Sequence, residues 1–332
     1  MTVVEVRYGS HAEGETTSGP PGRSGAGPGG RPHPGWSAAG DRQYNRGIES
    51  LKIFIGTDQS QVVAHRVLEY TIRKHATVPV QITPMLNFEF PAPTKPEFAP
   101  RTAFSYSRFI IPELAGYQGR ALYLDADMVV FASVEELTEI PFGDQTVLLS
   151  TPPRTELWDS HDTEYLGSRS VAVMLLDCDR LRWDATEIVR GLDEGKYTYA
   201  ELMSDMCIVG PDGVGERIPA EWNHLEHYDP GRTRLLHYTV VPSQPWKVRG
   251  NPLEHLWLDA YREALDAGAL PLSEVEAGVA AGHIRPDLLE DLPVRVAAQR
   301  NWAITGPRPG TTWGRVRRRA GRLARAMKPT TT

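Results

Sequence analysis

Arg120-Ala-Leu-Tyr-Leu-Asp125-Ala-Asp127-Met-Val-Val-Phe131 is the stretch on which the chain turns. Ala121 to Leu124 and Met128 to Phe131 are apolar or aromatic, as expected of a strand covered on both faces. Asp125 and Asp127 interrupt that run. Two carboxylates two residues apart in an extended segment point the same way. Like charges repel at such spacing, and burying them unpaired is costly. A divalent cation at the strand end would resolve both problems, and hard oxygen ligands suit Mg²⁺ or Mn²⁺ rather than zinc. The competing expectation is a solvated turn joining two strands, with both carboxylates in water.

At 332 residues the chain is long enough for one or two domains with a sizeable core. A formal net charge of −6 gives no reason to expect nucleic acid as a partner. The two cysteines, Cys178 and Cys207, make neither a disulfide scaffold nor a zinc site, so a reducing cytoplasm is the expected setting. No apolar run reaches the roughly 18–20 residues of a membrane span, and the N-terminus lacks a secretory h-region. Residues 1–48 read as disordered: from Ser18 to Trp36, 12 of 19 residues are Gly or Pro. At the other end, residues 313–328 hold seven basic residues and no acid. Such a tail fits a solvated segment, a peripheral membrane contact or a contact with an acidic partner.

Order is expected from Leu51-Lys-Ile-Phe-Ile-Gly56-Thr57-Asp58, a strand ending in a turn, with Asp58 as N-cap of a helix over Gln61–His75. Val78–Thr83 is a second strand. Strand–helix–strand implies a parallel pair in an α/β domain, and the end of the first strand is where such sheets bind nucleotides. Gly56 to Asp58 can equally be simple turn and cap chemistry. Residues 101–114 are expected as one helix placing Arg101 and Arg108 on a shared face, either solvated or serving phosphate. Residues 151–167 suit a loop over the site, and 168–178 a central strand. Asp179 is expected to cap a helix running to about Gly195. Asp205 stands among Met203, Met206, Cys207 and Ile208, which suggests a buried functional or paired acid; a solvated edge is the alternative. Strands are expected over 216–223 and 233–238, and a helix over 253–267.

The order of these features resembles glycosyltransferase family 8, the retaining GT-A enzymes that include glycogenin-like and bacterial lipopolysaccharide galactosyl- and glucosyltransferases. The residues carrying the likeness are Lys52–Asp58, Ser105-Tyr-Ser-Arg108-Phe, Leu122-Tyr-Leu-Asp-Ala-Asp127, Val173–Cys178, Trp222-Asn223 and His237-Tyr238 with Pro245-Trp246 beyond. The resemblance implies a Rossmann-like mixed α/β sheet flanked by helices. It places a nucleotide-sugar-binding catalytic domain over 49–250; a helical extension over 251–304 and the basic tail over 305–332, read from their own residues, follow it. It implies hexose transfer from a nucleotide sugar, a uridine diphosphate hexose above all, to an unidentified acceptor. On the matching positions Gly56, Thr57 and Asp58 hold the nucleoside, and Arg108 faces the diphosphate or donor sugar. Asp125, Asp127 and His237 bind Mn²⁺ or Mg²⁺, with Asp125 also near the ribose.

The chain departs from the family pattern in three places. Ser170 and Ala172 stand where the family has Asn-x-Gly, so donor-sugar contacts fall to Ser170. Met203-Ser204-Asp205-Met206 corresponds poorly to the family's Asp-Gln-Asp, so Asp205 or a neighbour of it is the candidate acid facing the reacting sugar, with Asp127 the other catalytic candidate. Gln244 replaces the phosphate-binding Lys before Pro-Trp, which makes Lys247 the nearest replacement cation. Two other functions remain compatible with these residues: a non-catalytic nucleotide-sugar-binding protein on the same scaffold, and a sugar-nucleotide pyrophosphorylase.

Overall fold

The chain's β1, Leu51–Gly56, is apolar on both faces and forms the second strand of a six-stranded sheet ordered β2-β1-β3-β6-β5-β7. The other members are β2 (Val80–Pro84), β3 (Arg120–Asp125), β5 (Val147–Ser150), β6 (Ser170–Asp177) and β7 (Val214–Ile218). In this computed structural model the described residues are 51–98, 102, 104–150, 169–210 and 212–305. The expected N-terminal segment, the loop over 151–167 and the basic tail lie outside them. β1 runs parallel to β2 and β3, as the strand–helix–strand opening implied. β6 alone runs against its neighbours β3 and β5, and β5 pairs parallel with β7.

The two faces of β3 belong to two different cores, because successive side chains of a strand point to opposite faces. Ala121 and Tyr123 pack with Phe54, Leu149, Met174 and Phe109. Leu122 and Leu124 pack with Ile53, Ile55, Leu148 and Leu175 under α1 (Val62–His75). Burial on both sides explains why the strand reads as a continuous apolar run.

After Asp125 the chain bends through Ala126 and Asp127 and leaves the sheet. β4 (Met128–Val130) belongs to a second, three-stranded sheet ordered β4-β9-β8, with β8 at His224–Leu225 and β9 at Leu235–His237. The apolar run that looked like one interrupted strand is therefore two strands of two sheets, and the carboxylates mark the transfer.

Three local expectations fail for identifiable reasons. Residues 101–114 are not one helix: a turn leads into a 3-10 segment at Ser107–Ile110 and one α-turn, α2, at Ile111–Leu114. Pro112 cannot donate a backbone N–H, and Gly116 and Tyr117 adopt positive φ directly afterwards. Asp179 lies in a tight turn rather than capping a helix. The cap is Asp184, whose carboxylate accepts from Glu187 N at 3.1 Å and starts α4 at Ala185–Asp193. The strand expected over 216–223 ends at Ile218, where Pro219 leads into a 3-10 turn over Ala220–Asn223. A four-residue helix, α3 (Glu135–Thr138), and the short α5 (Tyr199–Met203) complete the part of the chain before residue 250.

The last third is helical: α6 (Glu254–Asp266), α7 (Leu272–Ala280) and α8 (Val294–Thr305). It shares a core with the first helix and the small sheet, in which Val63, Val67, Val129 and Leu236 meet Trp257, Tyr261 and Val275. An aromatic ladder runs through that core. Tyr238 meets Trp246 edge-on at 6.2 Å, Trp246 meets Trp257 at 5.4 Å, and Trp257 stacks on Tyr261 at 5.3 Å. Among the described residues no helix is long and apolar enough to cross a membrane. The ladder makes Trp257 a sensitive position: Trp257→Ala is expected to lower stability by about 3–5 kcal/mol, read from the shift in a urea unfolding curve.

Candidate active site

β1 and β3 end side by side, with Gly56 paired in register with Asp125. Gly56 is there for space, not for backbone freedom. A Cβ at that position would sit 2.1 Å from the Tyr123 hydroxyl and 2.9 Å from the Phe104 ring. The hydroxyl so accommodated donates to Asp125 Oδ1 at 2.6 Å. Arg108 lies over the Tyr123 ring at 4.7 Å. Its Nη2 donates to the same hydroxyl at 3.2 Å and stands 3.5 Å from Asp125 Oδ1. Its Nε donates to Ser105 O and its Nη1 to Val171 O. Every guanidinium nitrogen is thus engaged by the protein, and the side chain is buried. Arg108 braces the tyrosine that braces Asp125. Arg101, expected to share a helix face with Arg108, lies outside the described residues.

Asp127 is met from the other sheet. β4 pairs antiparallel with β9, placing Met128 opposite His237, and Tyr238 N donates to Asp127 O at 2.9 Å. The His237 ring thereby reaches Asp127, Nε2 to Oδ1, at 3.1 Å. Asp125, Asp127 and His237 each offer one ligand atom, all within 4.8 Å of one another. The ring's other nitrogen, Nδ1, is 2.9 Å from Asn223 Oδ1, while Asn223 Nδ2 donates to Ser150 Oγ at 3.0 Å. That donation leaves Oδ1 as the acceptor, so Nδ1 carries hydrogen. In the neutral ring the Nε2 lone pair then faces a carboxylate oxygen, and a cation must stand between them. It can be a proton or a metal.

The electrostatics agree. Burial pushes the His237 pKa down, but Asp127, with Asp125 and Glu226 behind it, outweighs burial and leaves it raised. Burial also raises the Asp125 carboxyl, against the pull of Arg108 and with the push of Asp127. Asp127 Oδ1 is buried and has no donor other than a protonated His237. Its Oδ2 accepts from Gln244 Nε2 at 3.0 Å. An excess of carboxylate beside a neutral imidazole, with an orphaned buried oxygen, fits a divalent cation with mixed O and N ligands.

The remaining expected site residues are placed as follows. Thr57 is buried, its hydroxyl 3.2 Å from His65 Nδ1. Burial depresses His65 to a pKa of about 4, so the ring is neutral. Asp58 caps the turn after β1, accepting from Ser60 N and Oγ. Ser170 opens β6 with its hydroxyl accepting from Ala172 N at 3.3 Å. Lys247 is half-buried after the Pro245-Trp246 turn and has no ion pair among the described residues. Asp205 is exposed in the turn after α5, while Leu202, Met203 and Met206 around it are buried. Met206 adopts left-handed φ, which turns the chain and leaves the acid outside. The desolvation that singled Asp205 out is absent, and we give it no part in the chemistry below.

Four contributors carried no assigned role in the sequence: Tyr123, Asn223, Ser150 and Glu226. Tyr123 was findable, since it stands two residues before Asp125 on the same strand face. Glu226 has no signal. It sits at φ 46°, accepts from Val240 N at 2.9 Å and Asn251 Nδ2 at 3.3 Å, and ties the segment after β9 to β8.

The raised His237 pKa carries a sign. Protons and metal compete for Nε2, so Mn²⁺ affinity is expected to fall as pH drops through that pKa, approaching about tenfold per unit for one displaced proton. Titration of Mn²⁺ binding at several pH values by calorimetry checks this; a pH-independent affinity between neutrality and pH 5 would remove His237 from the ligand set.

The model of glycosyl transferase family 8 matches residues 42–166, which include β1, Arg108 and both carboxylates. Two proteins of Arabidopsis thaliana are similar in sequence. Protein CDI is 27% identical over 240 residues, covering 68% of this chain and 86% of that protein. Galactinol synthase 10 is 22% identical over 196 residues, covering 48% of this chain and 56% of that protein. Among solved structures, galactosyltransferase LgtC in complex with donor and acceptor sugar analogues overlaps 66% of this chain and 100% of its own, at 15% identity and a TM-score of 0.47. Residues 42–166, with the carboxylate strand among them, are thus the part of this chain that is similar to glycosyl transferase family 8.

Proposed function

We propose that the chain transfers a hexose from a nucleoside diphosphate sugar, a uridine diphosphate hexose above all, with retention of configuration and with Mn²⁺ (or Mg²⁺) held by Asp125, Asp127 and His237. The observation that carries this is the convergence of two carboxylates and an imidazole where β1 and β3 end. The end of such strands is where α/β sheets place nucleotides. Retention and the uridine donor follow from the family likeness, and the similarity to a galactinol synthase supports a hexose.

When bound, the cation supplies a Lewis acid to the diphosphate, offsetting the charge that develops on the leaving group. The chain's own residues set the stage for it. Tyr123 and Arg108 present Asp125, Gln244 presents Asp127, and Asn223 fixes the tautomer of His237. An imidazole ligand is more at home around Mn²⁺ than Mg²⁺. The donor's nucleoside is assigned to Gly56, Thr57 and Asp58 at the end of β1 and its sugar to Ser170 at the start of β6. A further positive charge for the diphosphate falls to Lys247. Arg108 already donates to Ser105, Val171 and Tyr123, Gln244 is neutral, and Arg249 is ion-paired with Asp287.

A panel of nucleotide sugars with Mn²⁺, scored by release of nucleoside diphosphate, tests the proposal. Turnover is expected with one donor, and excess chelator or Asp127→Ala is expected to abolish it without unfolding the protein. Full activity in chelator would sink the metal assignment. For the cation at the diphosphate, Lys247→Ala is expected to weaken nucleoside diphosphate binding by about 1–2 kcal/mol, measured by calorimetry in Mn²⁺. Parent-like binding would return Lys247 to an ordinary surface turn.

A further inference from the structure

We propose that Arg285, in the helical last third of the chain, is a positioning residue for the metal ligand Asp127 and acts on it through Gln244. The inference rests on the cation site proposed above, but concerns Arg285, which neither the family likeness nor the ligand set assigns. It starts at Asp127. Its Oδ2 accepts from Gln244 Nε2 at 3.0 Å, which leaves Oδ1 turned toward His237. Gln244 therefore decides which oxygen is free for the cation.

The Gln244 amide has little freedom. It is fully buried, and its nitrogen also donates to Tyr238 O at 2.9 Å. Both hydrogens are used, and a flipped amide would set its oxygen against two acceptors at once. What remains free is the main chain that carries it. Gln244 enters the Pro245-Trp246 turn, in which Gln244 O accepts from Lys247 N and Val248 N. The next two carbonyls are claimed by one residue from outside the turn: Arg285 Nε donates to Pro245 O at 2.8 Å, and Arg285 N donates to Trp246 O at 2.7 Å.

A buried guanidinium on a neutral carbonyl is a costly way to satisfy a backbone group. Arg285 is only 7% exposed, and its charge is matched by Asp287 Oδ2 at 2.7 Å, a carboxylate that also pairs with Arg249. The rigid fork reaches a carbonyl and a carboxylate in fixed relation, which a lysine cannot do. On the far side, Trp246 is wedged between Tyr238 and Trp257. A shift at Pro245 is not absorbed by the indole and passes to Gln244. The path is Arg285, the Pro245 carbonyl, the Gln244 amide, Asp127 Oδ2. If Arg285 merely satisfied carbonyls, its loss would lower stability and leave the cation site unchanged.

The test is Mn²⁺ affinity of the nucleotide-free protein, from the free-Mn²⁺ signal in electron paramagnetic resonance, alongside Tm. Arg285→Ala and Gln244→Met are each expected to weaken Mn²⁺ binding about 10-fold or more, as loss of an outer-shell partner does. The double variant is expected to lose no more than the worse single, because both cut one path. Arg285→Lys, which keeps a donor for Pro245 O but not the fork, is expected to fall between, and carries the comparison if Arg285→Ala does not fold. Parent-like affinity in the Arg285 variants, or a double loss equal to the product of the single losses, overturns the inference alone. A parent protein that binds no Mn²⁺ overturns the metal assignment itself and this inference with it.

Discussion

Two carboxylates and an imidazole are held within 4.8 Å of one another in a largely buried corner, and the surrounding structure is arranged around that repulsion. At such a separation the two carboxylates repel by about 3–4 kcal/mol at a protein-like dielectric of about 20. Burial adds to the cost of keeping them charged, as the raised Asp125 pKa reflects. Each is therefore given one fixed donor: the Tyr123 hydroxyl for Asp125 and the Gln244 amide for Asp127. Neither donor cancels the charge. The second oxygen of Asp127 is left to His237 or to a cation, and preorganised anionic ligands of this kind suit a metal that must accept phosphate oxygens in its remaining positions.

The small second sheet is the device that makes the cluster possible. Had the chain after Asp125 continued along the large sheet, Asp127 would have extended beside β6 and away from residue 237. Instead the chain crosses to β4, and the β4–β9 pairing brings His237 up to a residue more than a hundred positions earlier. β8, on the other flank of β9, follows directly on Asn223, so the residue that sets the His237 tautomer arrives on the same small sheet. Backbone register between three short strands thus fixes geometry that side-chain chemistry then uses.

Cations around the site are used for architecture more than their charge alone would suggest. Arg108 and Arg285 are both buried, and both spend guanidinium donors on backbone carbonyls, Arg108 on Ser105 and Val171 and Arg285 on Pro245. Their planar forks hold two or three acceptors in one fixed relation, so each ties together pieces of chain distant in sequence. Among the described residues, Lys247, on a flexible stem at a half-buried turn, is the basic group we propose for the anionic substrate.

Local chemistry was enough to read part of this from the sequence. The apolar run into Asp125-Ala-Asp127 announced a buried strand and paired carboxylates pointing one way, because period-2 burial and paired acids are properties of adjacent residues. The β1–α1–β2 opening and the helix over 254–266 followed from hydrophobic periodicity for the same reason. What stayed hidden depends on residues far apart in the chain. Arg108 gave no sign in the sequence of its bonds to Tyr123, Ser105 and Val171. Asp205 looked buried until a left-handed Met206 turned it out. Asp184, not Asp179, capped α4, because the turn after β6 took the earlier acid. Gln244 looked like a lost lysine, and only the meeting of the two sheets made it the partner of Asp127. Residue types and their spacing name the chemistry a segment can perform; which donor meets which acceptor is decided by tertiary packing, since hydrogen bonds and ion pairs act over a few ångströms and sequence separation does not limit them.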